Sequence, residues 1–306
     1  MKITVIGTIN KDLILPFNDV PIESFGGIFY DIGILSQIAQ DVEITPVSYV
    51  GEDVISTVQA ILDKPSNVNT DGLVRGPETH HKVILEYTSP AQRSEKALFP
   101  FPPLEWAHIE PYTDADFIVL NMITGWDIEL PTFQKLCEKC GDRIYMDFHF
   151  LASDVDEIGK RFRRIPENLQ TWLSGPRFIQ MNEDEFATLN QHNESEKEFF
   201  HRYFRDDQVL ILTKASNGVS LVYRKNNITG KKDFPGNKIP RLIDSTGCGD
   251  AFGAGFIMNY LENNDMFQAA TYGNIVAAAK ATLRGTNELY RLKEKISDIK
   301  ALNRIK

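Results

Sequence analysis

Ile243-Asp244-Ser245-Thr246-Gly247-Cys248-Gly249-Asp250-Ala251-Phe252-Gly253-Ala254-Gly255-Phe256 reads as a glycine turn that opens into a helix. Gly247 and Gly249 permit backbone conformations closed to other residues and leave room for a close ligand. Phe252, Phe256, Ile257, Tyr260 and Leu261 then recur at three- and four-residue spacings, the pattern of an amphipathic helix. Such a turn aims the N–H groups of Gly247, Cys248, Gly249 and Asp250, and the positive end of the helix dipole, at one point, where a phosphate can bind. Asp250 suits the first turn of a helix as a carboxylate. Beside an anion site it can also accept the proton of a hydroxyl that attacks a phosphoryl group. The turn is not a Walker A motif, and Val5-Ile6-Gly7-Thr8-Ile9-Asn10 lacks G-x-G-x-x-G, which disfavours a P-loop kinase and a nicotinamide dehydrogenase.

Outward from this turn, short β-branched or apolar runs alternate with amphipathic stretches. Strands are expected at 3–7, 45–50, 82–87, 116–120, 143–148, 177–181, 208–213 and 219–224, and helices at 31–40, 54–62, 131–140, 183–190, 195–204, 250–262 and 267–283. This rhythm implies βαβ units, hence an α/β fold with a mostly parallel sheet between helices. Ligands then bind beyond the carboxyl ends of the strands. Segments 13–25 and 82–104 break the rhythm with prolines and β-like runs. They read either as hairpins forming a lid or as connecting loops, with Arg93 facing solvent. Residues 1–306 contain no linker, repeat or low-complexity stretch, so one domain is expected.

Composition bounds the partners. The 306 residues carry 33 Lys plus Arg against 42 Asp plus Glu, a net charge of −9, with 42% hydrophobic residues. No concentrated basic face is present to neutralise nucleic-acid phosphates. The short run Lys160, Arg161, Arg163, Arg164 reads as a solvated helix face. No apolar stretch reaches the roughly 18–20 residues that span a bilayer, and the apolar start reads as a first buried strand, which points to the cytoplasm. Cys137 and Cys140 read as reduced thiols one helical turn apart.

At Asp244 to Phe252 the chain resembles the ribokinase-like (PfkB) carbohydrate kinase family, whose signature runs D-T-x-G-A-G-D-x-F; Ser245 and Cys248 stand for the first Thr and the Ala. The resemblance implies a three-layer α/β/α sandwich with a small β lid, and an ATP- and Mg²⁺-dependent kinase acting on a small sugar or related polyol. Asp250 would be the base and Gly247, Cys248 and Gly249 the anion hole. By the same resemblance Asn10, Asp12, Gly26, Gly27 and Asp31 would meet the substrate. Asn182 and Glu185, in the family's N-x-x-E, would position phosphate and Mg²⁺, the latter through water. Thr213, Asn217 and Gly218, in a T-x-G-x-x-G-like loop, would join Asn182, Gly249 and Asn274 around ATP. Asp244 and Thr246 match positions that hold a monovalent cation such as K⁺ in several members, and lid strands can pair into a homodimer.

Some positions depart from the family pattern. Ile28 and Asp31 stand where ribokinase has Lys and Asn, Ala215 replaces a glycine, and His149 and Leu151 replace the polar pair of D-x-N-x-R. The loss of an anion contact disfavours phosphorylated substrates. A nucleoside kinase is an alternative, with Phe29, Tyr30 and Phe148 stacking a base. A catalytically silent binding or regulatory protein on the same fold is the other.

Overall fold

The computed structural model describes all residues except 17–19, 40, 90–91 and 305–306, and the side chains of all described residues except 88–89 and 92–93. Parts of both expected lid segments, and the side chain of Arg93, therefore lie outside the described residues.

Among the described residues, nine strands form the central sheet. Their order is Ile228–Phe234, Val219–Lys225, Val209–Thr213, Phe178–Asn182, Ile144–Asp147, Phe117–Asn121, Lys2–Ile6, Glu43–Val50 and Leu73–Arg75. Strand pairings are parallel except at Val209–Thr213 with Val219–Lys225 and at Val219–Lys225 with Ile228–Phe234. Successive residues feed opposite cores, as the two-residue period of a strand requires. Phe117, Val119, Tyr145, Phe178 and Ile211 pack on one side with helices Phe29–Ile38, Ile55–Leu62, Cys248–Asn263, Met266–Lys280 and Leu292–Asn303. Ile118, Leu120, Ile144, Met146 and Ile179 pack on the other with Leu130–Cys140, Leu169–Ser174, Glu183–Leu189 and Glu196–Tyr203. This is a three-layer α/β/α sandwich.

A second sheet has the order Ile22–Gly27, Ile9–Leu15, Lys82–Ser89, Gln92–Leu98. It starts earlier than the breaks in the sequence rhythm suggest. The opening apolar run is two strands divided at Gly7, so Asn10 and Asp12 belong to the second sheet rather than the central one.

The basic run around Lys160 is not a helix face. Ser153–Val155 and Arg161–Arg163 pair as an antiparallel hairpin, so side chains alternate. Arg161 points inward, donates to the carbonyls of Thr124 and Ile123 at 3.1 and 3.3 Å, and stacks over Phe150 at 3.6 Å. Phe162 points out. The charges concealed a two-residue period.

Candidate active site

The glycine turn lies where expected. Gly247 takes φ 78°, and a Cβ there would collide with the Tyr30 ring, so only glycine fits. Helix Cys248–Asn263 begins directly after it, and the Gly247 carbonyl accepts from the Ala251 amide at 2.9 Å. The Cys248 amide donates to Ser245 O at 3.2 Å. Among the described residues no backbone acceptor is found for the amides of Gly247 and Gly249. Burial pushes the Cys248 thiol up to about 12, so this side chain is no nucleophile near neutrality.

Asp250 does not stand alone. Asn121, the last residue of strand Phe117–Asn121, donates through one amide nitrogen to Asp250 Oδ1 at 2.8 Å and to Asp31 Oδ2 at 3.0 Å. Asp147 ends the neighbouring strand and accepts from Gln180 Nε2 at 2.6 Å, while Gln180 Oε1 accepts from the Tyr145 hydroxyl at 2.7 Å. Burial pushes the Asp250 carboxyl up to about 6, against the Asn121 hydrogen bond and the positive charge of Lys280. Burial also holds Asp31 and Asp147 well above the usual carboxylate range, with the charge of Asp250 adding to both. At neutral pH Asp250 is then mainly ionised, yet its proton affinity is higher than that of an exposed carboxylate. That suits a general base.

Asn182 and Glu185 form a reciprocal cap at the start of helix Glu183–Leu189. Asn182 Oδ1 accepts from the Glu185 amide at 2.9 Å, and Glu185 Oε2 accepts from the Asn182 amide at 2.8 Å. The same glutamate is almost fully buried, and burial pushes its carboxyl up to about 7. Its charge reaches Asp147. His149 Nδ1 stands 3.9 Å from Glu185 Oε1. The helix start and the acid cluster are therefore one feature.

Asn10 and Asp12 are buried on strand Ile9–Leu15, opposite Gly26 and Ser24 of strand Ile22–Gly27. A side chain at Gly26 would run into the Asp12 carboxylate, and Gly27 lies over Thr8 O and beside Ile123 and Asn10. The buried oxygens Asn10 Oδ1 and Asn121 Oδ1 find no hydrogen-bond partner among the described residues. Like the carboxylates of Asp12, Asp31 and Asp250, they are acceptors, which the hydroxyls of a substrate would suit. Tyr30 and Phe148 are buried in the two cores, while Phe29 is largely buried but lines a cavity with Lys11, Ser24 and Phe25.

On the expected nucleotide side, Thr213 ends strand Val209–Thr213 and Gly218 takes φ 97° against the Phe234 carbonyl. The Asn217 amide donates to Lys214 O at 2.9 Å, inside its own turn. Ala215, standing for a glycine, adopts φ 47°, in the region a glycine would occupy more readily. Asn274 Nδ2 donates to the carbonyls of Phe234 and Pro235, both at 3.3 Å, and so ties its helix to the sheet edge. Asp244 Oδ1 accepts from the Thr246 amide and Oδ2 from the Gly285 amide, both at 2.9 Å.

Asn121, Gln180 and Lys280 of this site escaped the sequence reading, and Asp147, the acid of the D-x-N-x-R match, was given no role in it. Asn121 and Asp147 are polar residues at the carboxyl ends of apolar strands, where α/β sheets bind ligands, so that rule would have found both. Because Asp147 is a buried acid with a raised value, its ionisation opposes folding. The penalty is absent below the unfolded value near pH 4 and grows as pH rises toward the folded one. Asp147→Asn is therefore expected to raise the melting temperature at pH 8 by on the order of 5 °C, with little gain at pH 4, as read by calorimetry.

Comparison with known proteins bears on the family and the fold. The family model described as pfkB family carbohydrate kinase matches residues 40–291. A nucleoside kinase of Methanocaldococcus jannaschii is 31% identical over 108 residues, 35% of this chain and 33% of that protein. An ATP-dependent ribose-1-phosphate kinase of Halopiger xanaduensis is 33% identical over 104 residues, 34% of this chain and 32% of that protein. The chain thus spans about a third of the length of these curated relatives. Ribokinase from Thermotoga maritima superposes with a TM-score of 0.76 at 18% identity, covering 97% of this chain and 98% of that one. Burkholderia thailandensis nucleoside kinase, solved with inosine, gives 0.76 at 16% identity and covers 99% and 98%. Those two likenesses establish the fold. The chain belongs to the pfkB family of carbohydrate kinases.

Proposed function

We propose that the chain transfers the γ-phosphoryl group of ATP to a hydroxyl of an unphosphorylated sugar, a related polyol or a nucleoside. The observation that carries this reading is Asp250 in the first turn of helix Cys248–Asn263, held by Asn121 at 2.8 Å beside the turn amides. Asp250 Oδ takes the proton of the substrate hydroxyl. A bond then forms from that oxygen to the γ-phosphorus, and the bond from phosphorus to the bridging oxygen of ATP breaks. The amides of Gly247 and Gly249 balance charge on the moving group. Asn10, Asp12 and Asp31 accept hydrogen bonds from the other hydroxyls and orient the reacting one. The second sheet, which carries Asn10, Asp12 and the glycine pair, acts as the lid that excludes water.

The carboxylate oxygens of buried Asp147, Glu185 and Asp250 are hard donors of the kind Mg²⁺ takes. Among the described residues no three such groups sit as a ready-made metal cage. Asp147 and Glu185 would hold the ion, and bound there it would neutralise charge on the nucleotide phosphates. Thr213, Asn217, Gly218 and Asn274 border the nucleotide. No described helix is long and apolar enough to cross a membrane, and we place the enzyme in the cytoplasm. The test is ADP release across sugars, polyols, nucleosides and their phosphates. A neutral acceptor is expected to exceed its phosphate ester by at least about tenfold in kcat/KM, because the cleft presents acceptors and a phosphate dianion would meet carboxylates. Tight binding without turnover for every candidate would favour a regulatory protein.

A further inference from the structure

Lys280 closes helix Met266–Lys280, and its side chain is 0% exposed. Its Nζ donates to Leu283 O at 3.3 Å, stands 3.8 Å from Asp244 Oδ2 and lies 5.4 Å from the centre of the Tyr30 ring. Each contact leads to the glycine turn. Asp244 opens the turn and also binds the amides of Thr246 and Gly285. Tyr30 packs on Gly247. Ala281, the next residue, accepts from the amides of Ile243 and Asp244 at 2.8 and 3.3 Å. The ammonium thus stands at the junction of the turn with the loop 281–285.

A buried ammonium with one close carbonyl and one carboxylate is expensive to retain, and packing alone would favour an apolar side chain. The resemblance read from the sequence also implies a monovalent cation at Asp244 and Thr246. In this chain the residues do not fit such an ion. The charge of Lys280 already sits between the Asp244 carboxylate and the Leu283 carbonyl, and a second cation there would be repelled.

We propose that Lys280 Nζ is a tethered cation that takes the place of the monovalent ion, fixing Asp244 and the loop 281–285 against the glycine turn. The proposal rests on the kinase reading for its catalytic consequence and on the geometry alone for its structural one. Lys280 acts as a positioning residue, through the turn rather than on the substrate.

The test uses the full chain in potassium-free buffer, with choline chloride or KCl at equal ionic strength, and reads thermal melting and ATP-dependent turnover separately. The unaltered protein is expected to melt within about 1 °C in the two salts and to change turnover less than about twofold. Lys280→Met is expected to melt several degrees lower in choline, with turnover reduced by on the order of 10²-fold. KCl, but not choline, then restores part of both by filling the vacated place. Potassium that raises the melting temperature of the unaltered protein by several degrees would overturn the proposal, and this arm needs no variant. A Lys280→Met protein that melts like the parent in choline would also overturn it. So would one that is destabilised yet unmoved by potassium, since the lysine would then be packing rather than standing for an ion. A failure of the kinase reading would show instead as absent turnover in every arm, with the melting pattern unchanged.

Discussion

Asp250→Asn is expected to lower turnover by about 10²–10⁴-fold, the usual worth of a general base, with the melting temperature at or above that of the parent. The two readouts part for a physical reason. An asparagine oxygen can still accept from Asn121 Nδ2, which now binds Asp250 at 2.8 Å, so the local packing survives. The variant also removes a buried carboxyl pushed up to about 6, and with it a charge that opposes folding at neutral pH. The parent should lose kcat/KM tenfold per pH unit below about 6, because only ionised Asp250 accepts the proton. That acidic limb should vanish in the variant. Equal turnover in the two proteins would remove Asp250 from the chemistry.

Asn121→Ala is expected to give the second large effect, and its signature is a shift rather than a plain loss. One amide nitrogen serves both Asp31 and Asp250, at 3.0 and 2.8 Å. Without it two buried carboxyls face each other with no shared donor, and the hydrogen bond that lowers the Asp250 value is gone. The acidic limb should therefore move to higher pH by about one unit, which is the worth of a single hydrogen bond to a charged group. The shift alone should halve turnover at pH 7, about twofold, and that part should recover at pH 9; a further loss of about tenfold from the unheld carboxylate should persist at both. An unmoved limb in pH–rate measurements would mean that Asn121 only fills space.

How far the chain explained itself can be traced residue by residue. The glycine turn was legible because φ 78° at Gly247 and the helix register after it are local properties. The core strands were legible because they are buried on both faces and hence nearly all apolar, as in Phe117–Asn121. The hairpin at Arg161–Arg163 was not, since its inward arginine is stabilised by carbonyls of residues 123 and 124 and by Glu95. Helix Leu292–Asn303 went unread although Leu292, Ile296 and Ile299 keep a helical spacing. Asn121, Asp147 and Lys280 are each one polar residue in an apolar setting. Their significance arises only where distant segments meet: Asn121 with residues 31 and 250, Asp147 with Gln180, and Lys280 with Asp244. The nucleotide loop illustrates the reverse case. Its motif was legible, yet the Asn274 amide is spent on the carbonyls of Phe234 and Pro235.

On the proposed function, the acidic chain would hold a polyanion without a basic surface because the turn supplies amides and a helix end. The most direct test of that account is phosphorus NMR of the full chain with ATP, Mg²⁺ and a panel of unphosphorylated sugars, polyols and nucleosides. The account expects one acceptor to become a phosphomonoester in equal amount with ADP, and Asp250→Asn to form it at least about a hundredfold more slowly. ADP with free phosphate and no ester, or ester formed at the same rate by the variant, would contradict it.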